Sequence, residues 1–372
     1  MDSTLVSAAF DVRTEPAGGL SRQGTKFGST PDQKAKNRGR KYLRRRRAAA
    51  LAFGAGLQRG KGPKWARIQS CGRALGEVVR VEARGGQAVA RGLMLCGQVW
   101  TCPVCSANVK AGREVEVNSA GEAWVAAGGS LALVTLTLRH DRSMSLAAVL
   151  GSLLGSTKKL RHRVSWKRLR SLSAGYVRAL EVTDGENGWH PHQHFLMFIR
   201  EGVTQAEVEG CLYDITTDWR DLARDSLGVV PSVERAVNLV WFGAESGAAA
   251  RYVSKVAKEV TQSNTKSGRD PFALLDDDSA QSSARFVEFA DAMVGHQSLA
   301  WSKGLRDLLG LGAEIEDVQL AEGVDEKELE VVVIAYVERK VWNGMHRRGE
   351  VAAYLADLEE RFARWPWVVH RE

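Results

Sequence analysis

No run of about 18 apolar residues occurs in the 372-residue chain, so the sequence offers no membrane-spanning helix. Residues 1–30 also lack the apolar core of a secretion signal, and the expected compartment is the cytoplasm. There is no internal repeat, which sets repeat architectures aside. A phosphate-binding loop of the form GxxxxGK followed by Ser or Thr is missing too, so ATP hydrolysis is not expected of this chain. Cysteine is scarce, with five residues in all. In a cytoplasmic protein disulfides are disfavoured, and clustered thiols are better explained as metal ligands.

What remains is a globular composition, 44% hydrophobic, long enough for two modest domains. The formal net charge of +8 favours a polyanionic partner. Residues 34–47 (KAKNRGRKYLRRRR) hold nine Lys or Arg and no acid, and the segment before them is rich in Ser, Gly, Pro and Thr. Residues 1–60 therefore read as a mobile basic arm whose phosphate contacts would be salt-sensitive and independent of sequence. A second basic run, Lys158 to Arg170, interleaves seven Lys or Arg with Leu160, Val164 and Leu169, the pattern of a helix with a basic face. It either borders a nucleic-acid groove or is a solvated helix.

Four of the five cysteines cluster. Cys102-Pro103-Val104-Cys105 is a CxxC knuckle, Cys96 lies six positions before it, and Cys71 lies further upstream. Four thiolates suit one tetrahedral zinc and would organise a small module, placed at residues 61–125, that has little core of its own. Cys211, in an expected helix from Gln205 to Ser226, reads as a core residue.

The richest chemistry lies in Trp189-His190-Pro191-His192-Gln193-His194-Phe195. Tyr176 to Thr183 reads as a strand, Asp184 to Gly188 as a turn and the histidine segment as the returning strand. Alternate residues of a strand share a face, so His190, His192 and His194 line one side. If the hairpin pairs residue 183 with 190, residue 181 lies opposite 192 and brings Glu181 alongside the imidazoles. Two imidazoles and one carboxylate, with open positions, suit a catalytic divalent ion. Whether the pair is His190 with His192 or His192 with His194 stays open at this point. About sixty residues on, GAAARYVSKVAKEV (Gly247 to Val260) has four alanines and no proline and is expected to be helical. Tyr252 and Lys255, three apart, would share a face of it. A tyrosine hydroxyl, with a reference pKa of about 10, needs Lewis-acid activation of its target and a nearby cation to attack a phosphodiester.

These segments resemble the HUH endonucleases, and within them the rolling-circle replication initiators of small Gram-positive plasmids, especially the actinomycete type. The resemblance covers roughly residues 70 to 345. It rests on the strand Leu133 to Leu138 with Arg139-His140, on HPHQH, on Tyr252-Val253-Ser254-Lys255 and on Trp301-Ser302-Lys303-Gly304-Leu305-Arg306, in matching order and spacing. It implies that His192 and His194 are the histidine pair binding Mg²⁺ or Mn²⁺, that Tyr252 is the nucleophile and that Lys255 is its companion. It also implies single-stranded and duplex origin DNA as partners, with a host helicase and DNA polymerase. Two positions depart from the family pattern. Gln193 stands where a hydrophobic residue is usual, and Ala248 stands where some relatives carry a glutamate. A relaxase or transposase, or a zinc-organised DNA-binding regulator without nuclease activity, are the competing readings.

The expected fold class is α+β: a central antiparallel sheet covered by helices, preceded by the zinc module and the arm. Strands are expected near 131–138, 176–183, 190–199 and 232–242, within a nuclease core at 126–262. Residues 263–283 read as a linker or exposed loop. Residues 284–372 read as a C-terminal α/β accessory region, with a helix at 284–294, a strand near 329–337 and a helix near 348–363. Its stretch from Glu314 to Glu330, with eight acids and one lysine, is expected to avoid DNA and to contact the basic arm or a protein partner.

Overall fold

The computed structural model describes residues 31–243, 257–258, 268–323 and 331–364. Its strands are β1 (Val78–Arg84), β2 (Gln87–Arg91), β3 (Ser130–Thr137), β4 (Ser173–Gly185), β5 (Gly188–Ile199), β6 (Val237–Phe242), β7 (Leu299–Trp301) and β8 (Val331–Glu338). They form two antiparallel sheets in two compact units, and the protein is α+β. One unit takes its described residues from 113–270 and 297–314. The other takes them from the chain up to residue 112, from 271–296 and from 315 onward.

The first unit carries a five-stranded sheet in the order β6-β3-β5-β4-β7. β3 lies between β5 and β6, and six of its eight residues are buried. Its sequence SLALVTLT is accordingly a nearly continuous apolar run, as a strand covered on both faces requires. On one face Leu131, Leu133, Val177, Ala179, Leu196 and Phe198 pack against Val117, Ala120, Leu299 and Leu305. On the other, Phe195 meets Trp166 and Tyr176 in edge-on contacts with ring centroids 4.8 and 5.4 Å apart. The β4–β5 hairpin closes through Gly185 paired with Gly188. Gly188 has φ +89°, and a Cβ there would come within 3.1 Å of the Arg142 backbone, so the turn needs glycine both for its conformation and for its close approach.

The second unit is built on a three-stranded sheet in the order β2-β1-β8. Val79, Val81, Ile334 and Val337 pack there with Trp342 and Met345 of the helix Arg339–Arg348 and with Val351 and Leu355 of the helix Val351–Arg364. The segment expected to be a mobile arm is, from Pro31 to Arg59, a single helix. Four of its seven arginines are held by carboxylates of the same unit. Arg38 chelates Glu359 at 2.5 and 2.9 Å, Arg44 pairs with Asp276, Arg47 reaches Asp278 at 3.0 Å and Arg59 pairs with Asp291. Much of the positive charge that read as free for phosphates is thus neutralised within the unit, by acids outside the stretch 314–330.

Other boundaries shift for local reasons. Pro271, Phe272, Leu274 and Leu275, in the expected linker, are buried in a short 3₁₀ helix, because four large apolar residues lie in that polar stretch. The basic run breaks after Leu160 and resumes at Val164, giving the helices Leu146–Leu160 and Val164–Ser171. The expected helix from Gln205 to Ser226 divides at Gly210 into Gln205–Glu209 and Leu212–Leu227. The segment around Trp301, read as accessory, supplies β7 to the five-stranded sheet, and β8 joins β1 instead of standing in a separate C-terminal region.

Candidate metal centres and functional site

β5 is buried along almost its whole length, so each polar side chain on it needs a partner. The hairpin register pairs Thr183 with His190, Glu181 with His192 and Ala179 with His194, and β3 on the other side sets Thr135 opposite His194. His192 Nε2 lies 2.8 Å and His194 Nε2 3.2 Å from the same oxygen, Oε2 of Glu181. Glu181, His192 and His194 are 5, 7 and 5% exposed, and one donor atom from each falls within 4.8 Å of the others. Burial pushes the Glu181 carboxyl up, but the hydrogen bonds and charges of His192 and His194 outweigh it and hold the group at about 2. An anionic carboxylate between two imidazoles is a donor set for a hard or borderline divalent cation.

The surroundings favour the His192–His194 pair over His190–His192. Thr135 Oγ1 lies 2.9 Å from His194 Nδ1. When Nε2 ligates, Nδ1–H donates to that hydroxyl, which fixes tautomer and ring orientation. His192 Nδ1 is buried without a hydrogen-bond partner among the described residues. His190 instead turns to His140, their Nδ1 and Nε2 atoms 2.6 Å apart, while His140 Nδ1–H donates to the Asn187 carbonyl at 3.1 Å. Burial, together with the nearby His192 and His140, lowers His190 to about 4. His140 had no assignable role from sequence, since a histidine just past a strand carries no pattern; its place beside His190 comes from the loop that follows β3. Gln193, on the opposite face from the two histidines, is 1% exposed and does not enter the cluster. Tyr252 and Lys255 lie outside the described residues, as does Ala248.

The second unit holds the other cluster. Cys71, Cys96, Cys102 and Cys105 are all buried, and none forms a disulfide. Sγ of Cys71 lies 3.7 Å from that of Cys102 and 3.6 Å from that of Cys105, and Cys96 lies 3.7 Å from Cys105. The edges of a tetrahedron with zinc–sulfur bonds of about 2.3 Å measure about 3.8 Å, so these thiols stand at the spacing a tetrahedral zinc needs. Hydrogen bonds from Cys102 and Cys105 push the Cys71 thiol down, whereas burial pushes Cys102 up. Outside the sulfurs, His346 Nε2–H donates to the Cys71 carbonyl at 3.0 Å and Trp342 Nε1–H to the Gly72 carbonyl at 2.9 Å, pinning the backbone that presents Cys71. Neither support was legible in the sequence, because both come from a helix some 270 residues away. Cys211 is buried apart from the four and bonds the Glu207 carbonyl.

A family model described as "Replication protein" (Rep_1) matches residues 91–354. The chain belongs to that family. A "Protein rep" of Streptomyces lividans is 28% identical, with 73% of this chain and 76% of the relative covered. A "Neomycin resistance protein" of Streptomyces cyanogenus is 32% identical over a shorter stretch, 40% of this chain and 42% of that protein. No solved structure matches. Both residues expected to do the chemistry, Tyr252 and Lys255, fall inside the stretch matched by the replication-protein family, as do Glu181, His192 and His194. Among the described residues no helix is long and apolar enough to cross a membrane.

Proposed function

We propose that this replication protein is the initiator of rolling-circle replication of a plasmid or related element, a metal-dependent endonuclease of the HUH type that nicks one strand at the origin. The observation that carries the reading is the buried Glu181–His192–His194 cluster on adjacent strands, inside the matched family region. Those three residues would hold Mg²⁺ or Mn²⁺, and such an ion supplies Lewis-acid polarisation of a phosphodiester. Tyr252 Oη would attack the phosphorus and lose its proton. The bond from phosphorus to the 3′ oxygen breaks, the 3′ oxygen leaves as a hydroxyl once protonated, and the 5′ phosphate stays on the tyrosine as an ester. Lys255 would offset the developing charge on the phosphate. Because one ester replaces another, a later attack by a 3′ hydroxyl could rejoin the strand. The four cysteines would hold a structural zinc. Extension of the freed 3′ end would fall to a host polymerase and unwinding to a host helicase, since the chain has no phosphate-binding loop.

The test is incubation with end-labelled single-stranded oligonucleotides tiled across the native replicon, with Mn²⁺ or EDTA. The expected outcome is a metal-dependent adduct that carries the 3′ fragment through its 5′ phosphate, mapped to Tyr252 and absent in Tyr252→Phe. Origin binding without cleavage under any divalent ion would favour the regulator reading, and a Tyr252→Phe protein that nicks at the wild-type rate would overturn the mechanism.

A further inference from the structure

The five-stranded unit has a recess of about 380 Å³, lined by Arg161, Arg170, Tyr176, Arg178 and Lys303 together with the segment from Ala300 to Ser302. Strand alternation in β4 sets Tyr176 and Arg178 on the face opposite Glu181, so this recess lies on the other side of the sheet from the histidine cluster. Tyr176 is 6% exposed and forms its floor, with the Arg161 and Arg170 guanidinium carbons 5.7 and 5.9 Å from the ring centroid. Arg170 is tied down as well, donating to the carbonyls of Ser173 and Ala174.

The pairing of β7 with β4 also shapes the recess. Ser302 Oγ accepts from Tyr176 N–H at 2.9 Å, and Ser302 N–H donates to the Tyr176 carbonyl at 2.9 Å, which fastens the strand end and sets Lys303 at the rim. A Cβ on Gly175 would come within 2.7 Å of Ser302 Oγ, so the close approach of this segment to β4 depends on glycine. The Trp301-Ser302-Lys303-Gly304 segment thereby acquires a role that the histidine cluster does not give it.

Its charge is uncompensated. No carboxylate lines the recess, and among the described residues Arg161, Arg178 and Lys303 have no ion-pair partner. The helix Pro31–Arg59, by contrast, has several of its arginines neutralised. Burial, and then the neighbouring Arg161, disfavours the Arg178 cation, a cost that an incoming anion relieves. Four cations around one concavity match the geometry of phosphate recognition. A flexible unpaired strand can bend a phosphate into a recess, whereas a duplex presents its phosphates on a convex surface.

We propose that this recess binds the phosphodiester backbone of single-stranded DNA, as a second binding surface on the face opposite the histidine cluster. The proposal uses the replication role only to choose DNA as the polyanion. Its test therefore reads binding in a Tyr252→Phe background, so that it can fail without the nicking mechanism failing, and the reverse. The probe is fluorescein-labelled oligothymidylate, titrated by anisotropy over a range of salt concentrations. Arg161 and Lys303 are exposed, and their replacement leaves the Tyr176–Phe195 packing in place. R161Q/K303Q is expected to weaken binding about tenfold and to reduce the slope of log affinity against log salt by about 1.4, at about 0.7 for each single-strand phosphate that is no longer neutralised. R235Q/R200Q, which removes the same charge from exposed positions outside the recess, is expected to leave the slope within error of wild type. An unchanged slope in R161Q/K303Q, or an equal weakening in R235Q/R200Q, would overturn the assignment. A thermal unfolding midpoint equal to wild type checks that the variants are folded, and Lys303→Gln alone, with a slope change of about half, is the second variant.

Discussion

Thr135 is the residue whose role is easiest to underestimate. It offers the proposed ion no ligand, yet with Nε2 of His194 on the ion its hydroxyl, 2.9 Å away, would accept the Nδ1–H and hold the ring in place. Removing a hydrogen-bond partner of this kind commonly costs 10–100-fold in metal affinity. Thr135→Val is therefore expected to weaken Mn²⁺ binding by about that factor in calorimetric titration, with the fold intact because Val suits a strand. His190→Ala is expected to leave Mn²⁺ affinity far closer to wild type than His194→Ala does, since His190 turns to His140 and not to Glu181.

Among the elements, the helix Pro31–Arg59 depends on carboxylates that titrate. Burial pushes Asp291 up, but hydrogen bonds from Arg59 and from the Trp65 indole, and the Arg59 charge, hold it below the ordinary carboxylate range. A depressed folded-state pKa stabilises the protein above the unfolded value, about 3.9 for Asp, and the contribution disappears as pH falls through the folded value. The gap in unfolding midpoint between wild type and Asp291→Asn is thus expected to be widest near neutral pH and to narrow below about pH 4. That helix also marks the limit of what the sequence revealed. Nine cations in fourteen residues read as a self-repelling arm, because the acids that hold it sit more than 220 positions downstream. The β4–β5 hairpin was legible because period-two alternation and a glycine turn are local signals, and the register assumed for it, Thr183 opposite His190, is the one the strands adopt. β7 was not, being three residues long and recognisable only by its pairing with β4. The four cysteines announced themselves by spacing, but the Trp342 and His346 hydrogen bonds behind Cys71 could not.

At the scale of the molecule, the cysteine cluster and the three-stranded sheet share a unit, and a bound zinc would tie together the segments that carry Cys71, Cys96, Cys102 and Cys105. Cys71→Ser is expected to lower zinc content to background by elemental analysis and to make residues 61–112 markedly more sensitive to protease than in wild type. The same unit is assembled from segments on either side of the five-stranded unit in the chain: β1 and β2 come before it, and β8 comes after it. On the ribosome, β1 must therefore wait with one edge bare while more than two hundred further residues are made. A nascent chain halted before Val331 can already contain Glu181, His192 and His194 on paired strands, while the sheet beside its cysteines lacks a strand. Premature termination late in the message would then be expected to spare the chemistry and to expose an adhesive edge, so that the product is lost to aggregation before it can act.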